Sequence, residues 1–107
     1  MNFDQERKFD GDKLSWDLLP IEPIERVVEI LTYGAKKYAP ESWQSVRPFS
    51  RRYYAAAMRH LSAWRQGEIV DEESGLDHLA HAACNLLFLM WGDDNLGNRK
   101  GDLFEDE

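Results

Sequence analysis

Between Leu76 and Trp91 the chain has almost no face to give to water. Leu79, Ala80, Ala82, Ala83, Leu86, Leu87, Leu89 and Met90 spread around the whole circumference of a helix at 100° per residue. A helix that is apolar on nearly all sides needs neighbours on several sides. At 107 residues the chain has the length of one domain. Those neighbours must therefore come from a few other helices and, where these run out, from a second copy of the chain. No apolar run approaches the ~20 residues that a bilayer demands, so no membrane span is expected.

The rest of the sequence supplies two more helices. In IEPIERVVEILTYGAKKY, residues 21–38, Ile24, Val27, Val28, Leu31, Ala35 and Tyr38 fall on one face. Pro23 suits the first turn. Gly34 costs about 1 kcal/mol relative to Ala, and either permits close packing or bends the helix. Residues 39–49 form a loop with prolines at both ends. Ser50 is the expected N-cap of a helix over 51–66 that Gly67 stops, with Tyr54, Ala57, Met58, Leu61 and Trp64 at helical spacing. An acidic connection, 67–75, leads to the third helix, roughly 76–91, with a start near Asp71 or Ser74 as the alternative, and Gly92 is expected to end it. KLSWDLLP, residues 13–20, reads as an extended anchor packing on the domain through Trp16, Leu18 and Leu19. The expected fold is all-α, a small antiparallel bundle of three main helices completed by oligomerisation. Residues 1–12 read as a flexible arm, 13–92 as one domain, and 93–107 as an acidic tail.

The net charge of −7 is concentrated at the ends: −2 in residues 1–12, −4 in 93–107 and −1 between them. The middle has no basic excess, which argues against binding a nucleic acid polymer through its phosphates. A small phosphorylated ligand held through metal ions remains compatible. One cysteine, Cys84, excludes an internal disulfide framework and a multi-cysteine zinc site. The opening MNFDQERKFDGDK is polar and lacks a signal-peptide core, so a cytoplasmic location is expected.

Two polar stripes stand out against this apolar background. Ser74, His78, His81 and Asn85 lie within about 60° of one another on a helical wheel, on the most apolar helix of the chain. Asp77 and Cys84 flank them. Leaving buried polar groups unpartnered costs about 1–3 kcal/mol each, so the stripe either satisfies itself within the core or lines a cavity. On the first helix Glu22, Glu25 and Glu29 share a face that Thr32, Tyr33 and Lys36 continue. That stripe is either a solvated acidic surface with Arg26 as counter-charge, or a seat for a hard divalent cation. Arg59, on the face of Arg52, and Lys36 and Lys37 are either solvated cations or a clamp for phosphate oxygens. Trp43 either stacks on a base or plugs the helix ends. A glycine-rich phosphate loop, a GxGxxG and a nucleophile elbow are all missing. His60 and the HxxH of the third helix suggest a His/Asp metal phosphohydrolase, but the adjacent His-Asp pair is missing, since Asp77-His78 runs in the reverse order. Zinc on His78, His81 and a carboxylate is a further option.

The strings KLSWDLLP, IERVVEILTYGAKKYAPESW and RHLSAWRQGEIVDEESGLDHLAHAACNLLFL resemble a phage and prophage family of dATP/dGTP diphosphohydrolases, related to the MazG-type all-α nucleoside triphosphate pyrophosphohydrolases. The resemblance spans roughly residues 13–91. It implies a homodimer or homotetramer that cleaves a purine (deoxy)nucleoside triphosphate between the α and β phosphorus, in the host cytoplasm if phage-encoded. Mg²⁺ or Mn²⁺ would hold the triphosphate and activate a water. Glu22-x-x-Glu25 fits the first MazG-type signature, ExxE. The second, ExxD on a later helix, is replaced here by Glu73-x-x-x-Asp77 followed by His78 and His81. The resemblance thus points to Glu25, Glu29, Glu73 and Asp77 as metal ligands. His78 and His81 become catalytic partners or further ligands. Lys36, Lys37 and Arg59 would meet phosphates, and Trp43 and Asn85 would contact the base. Two other functions fit the residues: a non-catalytic helical assembly module, and a metal-dependent nucleotide phosphomonoesterase.

Overall fold

The structure is a computed structural model that describes residues 11–97. It has three α-helices: α1 (Ile21–Lys37), α2 (Phe49–Arg65) and α3 (His78–Asn95). Short 3-10 turns stand at Trp16–Leu18 and Ser42–Ser45. Among the described residues there is no strand, only an isolated antiparallel bridge between Val70 and Asp77. The all-α expectation holds. No described helix is long and apolar enough to cross a membrane. Most of the expected arm and most of the expected acidic tail lie outside the described residues.

The apolar α3 is the central element. Both α1 and α2 pack against it rather than against each other. Val27 and Ile30 from α1 meet Ala80 and Cys84 from α3 in one small core, with Leu76, Ala83 and Phe88 at its margin. A second cluster is aromatic. Trp43 stacks on Phe88 at 4.2 Å, and Trp91, Phe49 and Tyr53 pack edge-on or tilted around them. Phe49, at the first turn of α2, is fully buried, and Tyr53 donates its hydroxyl to the Trp43 carbonyl. This cluster fixes the loop before α2 against the far end of α3.

Helix ends depart from expectation for definable reasons. α2 starts at Phe49, because the rings there anchor the first turn; Ser50 lies buried inside that turn and is not the N-cap. α3 starts at His78, because the Val70–Asp77 bridge and the Asp71 N–H bond to the Leu76 carbonyl hold 76 and 77 outside the helix. α3 then runs through Gly92 to Asn95, so residues 93–95 are helical and not tail. Gly92 is needed for close approach: a Cβ there would come within 2.5 Å of the Phe49 ring. Gly34, by contrast, has nothing packed against it.

One expectation about burial fails. Leu14, Trp16 and Leu18 are exposed and do not pack down as an anchor. On α3, Leu79, Leu86, Leu87 and Met90 remain about half exposed, because two neighbours cannot wrap a helix that is apolar all round.

Candidate functional site

The connection between α2 and α3 is short, polar and tightly tied. Besides the Val70–Asp77 bridge, the His78 N–H donates to the Ile69 carbonyl and the Gly75 N–H to the Asp71 carbonyl. The Asp71 carboxylate accepts the Ser74 N–H at 3.0 Å, and Ser74 Oγ accepts the Leu76 N–H at 3.1 Å. Such side-chain-to-backbone bonds are how Asp and Ser stabilise turns. The result is a fixed platform that presents Glu68, Asp71 and Ser74 to the start of α3.

Three histidines converge on that platform. His60 Nδ1 on α2 lies 2.9 Å from His78 Nδ1 on α3. His78 Nε2 lies 2.9 Å from a Glu68 carboxylate oxygen. The His81 ring stacks on His60 with centroids 4.4 Å apart and planes 7° from parallel. Ser74 Oγ is 2.7 Å from His81 Nε2. A carboxylate only accepts, so His78 donates from Nε2 and its Nδ1 lone pair faces His60. His78 is buried and the other two are half-buried. Burial and the neighbouring His81 push the His60 pKa down to about 4, and burial likewise lowers that of His81. Burial works to raise the Asp71 pKa, but the Ser74 N–H and the nearby imidazoles outweigh it and hold that carboxyl below its usual value. At neutral pH His60 and His81 are therefore uncharged imidazoles beside the anionic Asp71 carboxylate.

Beside this cluster runs an open groove between α1 and the connection. Glu25, Glu29, Thr32, Tyr33 and Lys36 line it from α1, and Ser74 and Leu76 line it from the other side. The acidic stripe thus faces Ser74, whose hydroxyl reaches His81. Neither Glu25 nor Glu29 is in an ion pair among the described residues.

The other expected site residues are placed differently. Glu73 pairs with Lys37, and Asp77 pairs with Arg26 at 2.6 Å. These two acids therefore meet cations instead of joining Glu25 and Glu29. Lys37, also lying over the Tyr33 and Tyr38 rings, is occupied by that pairing. Arg59 lines a separate concavity with Met58, Ser62, Gln66 and Glu68, because His60 takes the inward position and its neighbour points away. Trp43 is the plug of the aromatic cluster. Asn85 is buried one turn past His81 and does not line the groove. Ser74 lies in a turn, not on α3, yet still meets His81. Glu68 and Asp71, and the inward role of His60, were not singled out from the sequence. Their signal was the run of polar residues between α2 and α3, each too far from a helical register for spacing to group them.

A family model described as dATP/dGTP diphosphohydrolase, N-terminal, matches residues 4–102. The chain belongs to this family. A relative from Salmonella phage PMBT28, named dATP/dGTP diphosphohydrolase, is 34% identical over 84 residues, which is 78% of this chain and 28% of the relative. The chain thus spans less than a third of that relative's length. No solved structure matches the chain. The match to the dATP/dGTP diphosphohydrolase family includes all three helices and the platform between α2 and α3.

Proposed function

We propose that this chain forms the catalytic core of a purine (deoxy)nucleoside triphosphate pyrophosphohydrolase, converting dATP or dGTP and water to the monophosphate and pyrophosphate. The observation that carries the reading is the groove in which Glu25, Glu29 and Lys36 face Ser74, itself bonded to His81. Membership in the dATP/dGTP diphosphohydrolase family supports the substrate class.

Each element of the groove has a task in this chemistry. Glu25 and Glu29 are exposed carboxylates one turn apart, a donor set that suits Mg²⁺ or Mn²⁺. When bound, such an ion neutralises triphosphate charge and acidifies a water. Lys36 binds a phosphate oxygen as a point charge. A proton released in the groove passes to Ser74 Oγ, whose own proton moves to His81 Nε2, and the lowered pKa of His81 keeps that imidazole free to accept it. Self-association is part of the proposal: a second copy would cover Leu79, Leu86 and Met90, which the single chain leaves exposed.

The test is a panel of purine and pyrimidine triphosphates with Mg²⁺ or Mn²⁺, read for pyrophosphate. Pyrophosphate release with a purine preference is expected. Free phosphate instead would assign a phosphomonoesterase, and silence across the panel from folded protein would leave a non-catalytic helical module.

A further inference from the structure

We infer that His60, Asp71 and His78 form a binding site for one borderline transition-metal ion, distinct from the Glu25–Glu29 carboxylates. One ligand atom from each of the three residues lies within 4.8 Å of the other two. The two imidazole nitrogens are 2.9 Å apart. Two nitrogens each bound at about 2.0–2.1 Å to one ion, at angles between octahedral and tetrahedral, stand about 2.9–3.4 Å apart. The observed spacing is at the octahedral end of that range.

The surroundings are those of a ligand set. His78 gives its other nitrogen to Glu68 at 2.9 Å, the carboxylate–imidazole contact that orients a metal-ligating histidine and raises its basicity. The ring of His60 is held flat against His81, which Ser74 ties in turn. Asp71 is pinned by the Ser74 N–H. In the metal-free chain the His60 Nδ1 proton lies in the His78 lone pair; for an ion to enter, the neutral His60 imidazole would carry that proton on Nε2 instead, with no net proton lost at neutral pH. Two imidazoles and one carboxylate select Mn²⁺, Fe²⁺, Co²⁺ or Zn²⁺ over Mg²⁺, which prefers oxygen alone. The ligands come from α2, from the connection and from α3, so the ion would join three segments. The site is separate from the nucleotide reading, and its binding is measured with no nucleotide present.

The experiment titrates chelator-treated protein with Co²⁺, followed by visible absorption and calorimetry, with Zn²⁺ as competitor. One equivalent per chain is expected, with a higher melting temperature. His60→Gln and Asp71→Asn should each weaken Co²⁺ at least tenfold while keeping the helical circular dichroism, and Glu68→Gln should weaken it about tenfold. Glu25→Gln should leave Co²⁺ affinity unchanged. Because His78 is buried and its replacement risks unfolding, the decision rests on His60 and Asp71. No binding by the folded wild type, undiminished affinity in either variant, or loss of affinity in Glu25→Gln would each overturn the assignment. Pyrophosphate release by a protein that binds no Co²⁺ would sink this site and leave the proposed hydrolysis standing.

Discussion

Ser74 Oγ and His81 Nε2 lie 2.7 Å apart across the boundary between the α2–α3 connection and α3, joining the acidic groove to the imidazole cluster. Ser74→Ala removes that link and the acceptor for the Leu76 N–H. Activity should fall about a hundredfold if the hydroxyl serves proton transfer, and stability by about 1 kcal/mol. Ser74→Thr should restore most of both. Pyrophosphate kinetics beside a thermal melt will separate the two effects; a lowered melting point with unchanged kcat would confine Ser74 to holding the turn.

The carboxylates of the groove should behave differently from those in ion pairs. Glu25→Gln and Glu29→Gln are expected to abolish measurable turnover without loss of stability, since like charges one turn apart already cost a few tenths of a kcal/mol. Glu73→Gln and Asp77→Asn break solvent-exposed pairs with Lys37 and Arg26, which water and salt screen, so stability should barely change. Their turnover should stay within a few-fold of wild type. Activity that vanishes in Glu73→Gln or Asp77→Asn would return these acids to the metal shell.

Gly92→Ala should be disproportionately harmful for a surface-sized change. Its Cβ would meet the fully buried Phe49 ring at 2.5 Å. Overpacking of this kind costs about 1–3 kcal/mol, and it opposes the small gain that Ala normally brings to a helix. Gly34→Ala, with open space at its Cβ, should instead stabilise α1 by up to about 1 kcal/mol. Paired denaturant melts will give the two shifts opposite signs.

Acid should weaken the metal-free chain early. His60 has a folded pKa of about 4 against 6.5 for the free group, lowered first by burial and then by His81. Between those values the unfolded chain binds more protons than the folded one, so stability rises with pH there. The contribution is full above about pH 6.5 and drains away as pH falls toward 4; His81 acts in the same direction. Urea melts from pH 7.5 to 4.5 should show this slope, and His60→Gln should flatten it.

The three helices were legible because apolar spacing on α1 and α2, and the unbroken apolar run of α3, leave few alternatives. The boundaries were less so. Gly92 reads as a stop and serves as a packing gap for Phe49, a distinction that only the partner ring reveals. The histidine stripe was visible in sequence, since His78 and His81 share a face. His60 joined it only through the packing of α2 on α3. Asp71 and Glu68 were hidden because a non-helical connection brings them into place, and no periodicity links its residues. Lys37 and Arg59 carry suitable charge, but charge says nothing about which way a side chain is committed. Lys37 turned to Glu73, and Arg59 turned to a different concavity.

The bridge between Val70 and Asp77 has a consequence for how this molecule tolerates genetic change. Surface connections usually absorb an inserted residue without harm. Here Glu68, Asp71 and Ser74 are spaced against a fixed clasp; Glu68 and Ser74 bond to rings whose positions are set by helices, and a carboxylate oxygen of Asp71 lies within 4.8 Å of ring nitrogens of His60 and His78. A single residue inserted between Asp71 and Ser74 would leave every helix standing and yet scatter the constellation, a lesion of register and not of folding.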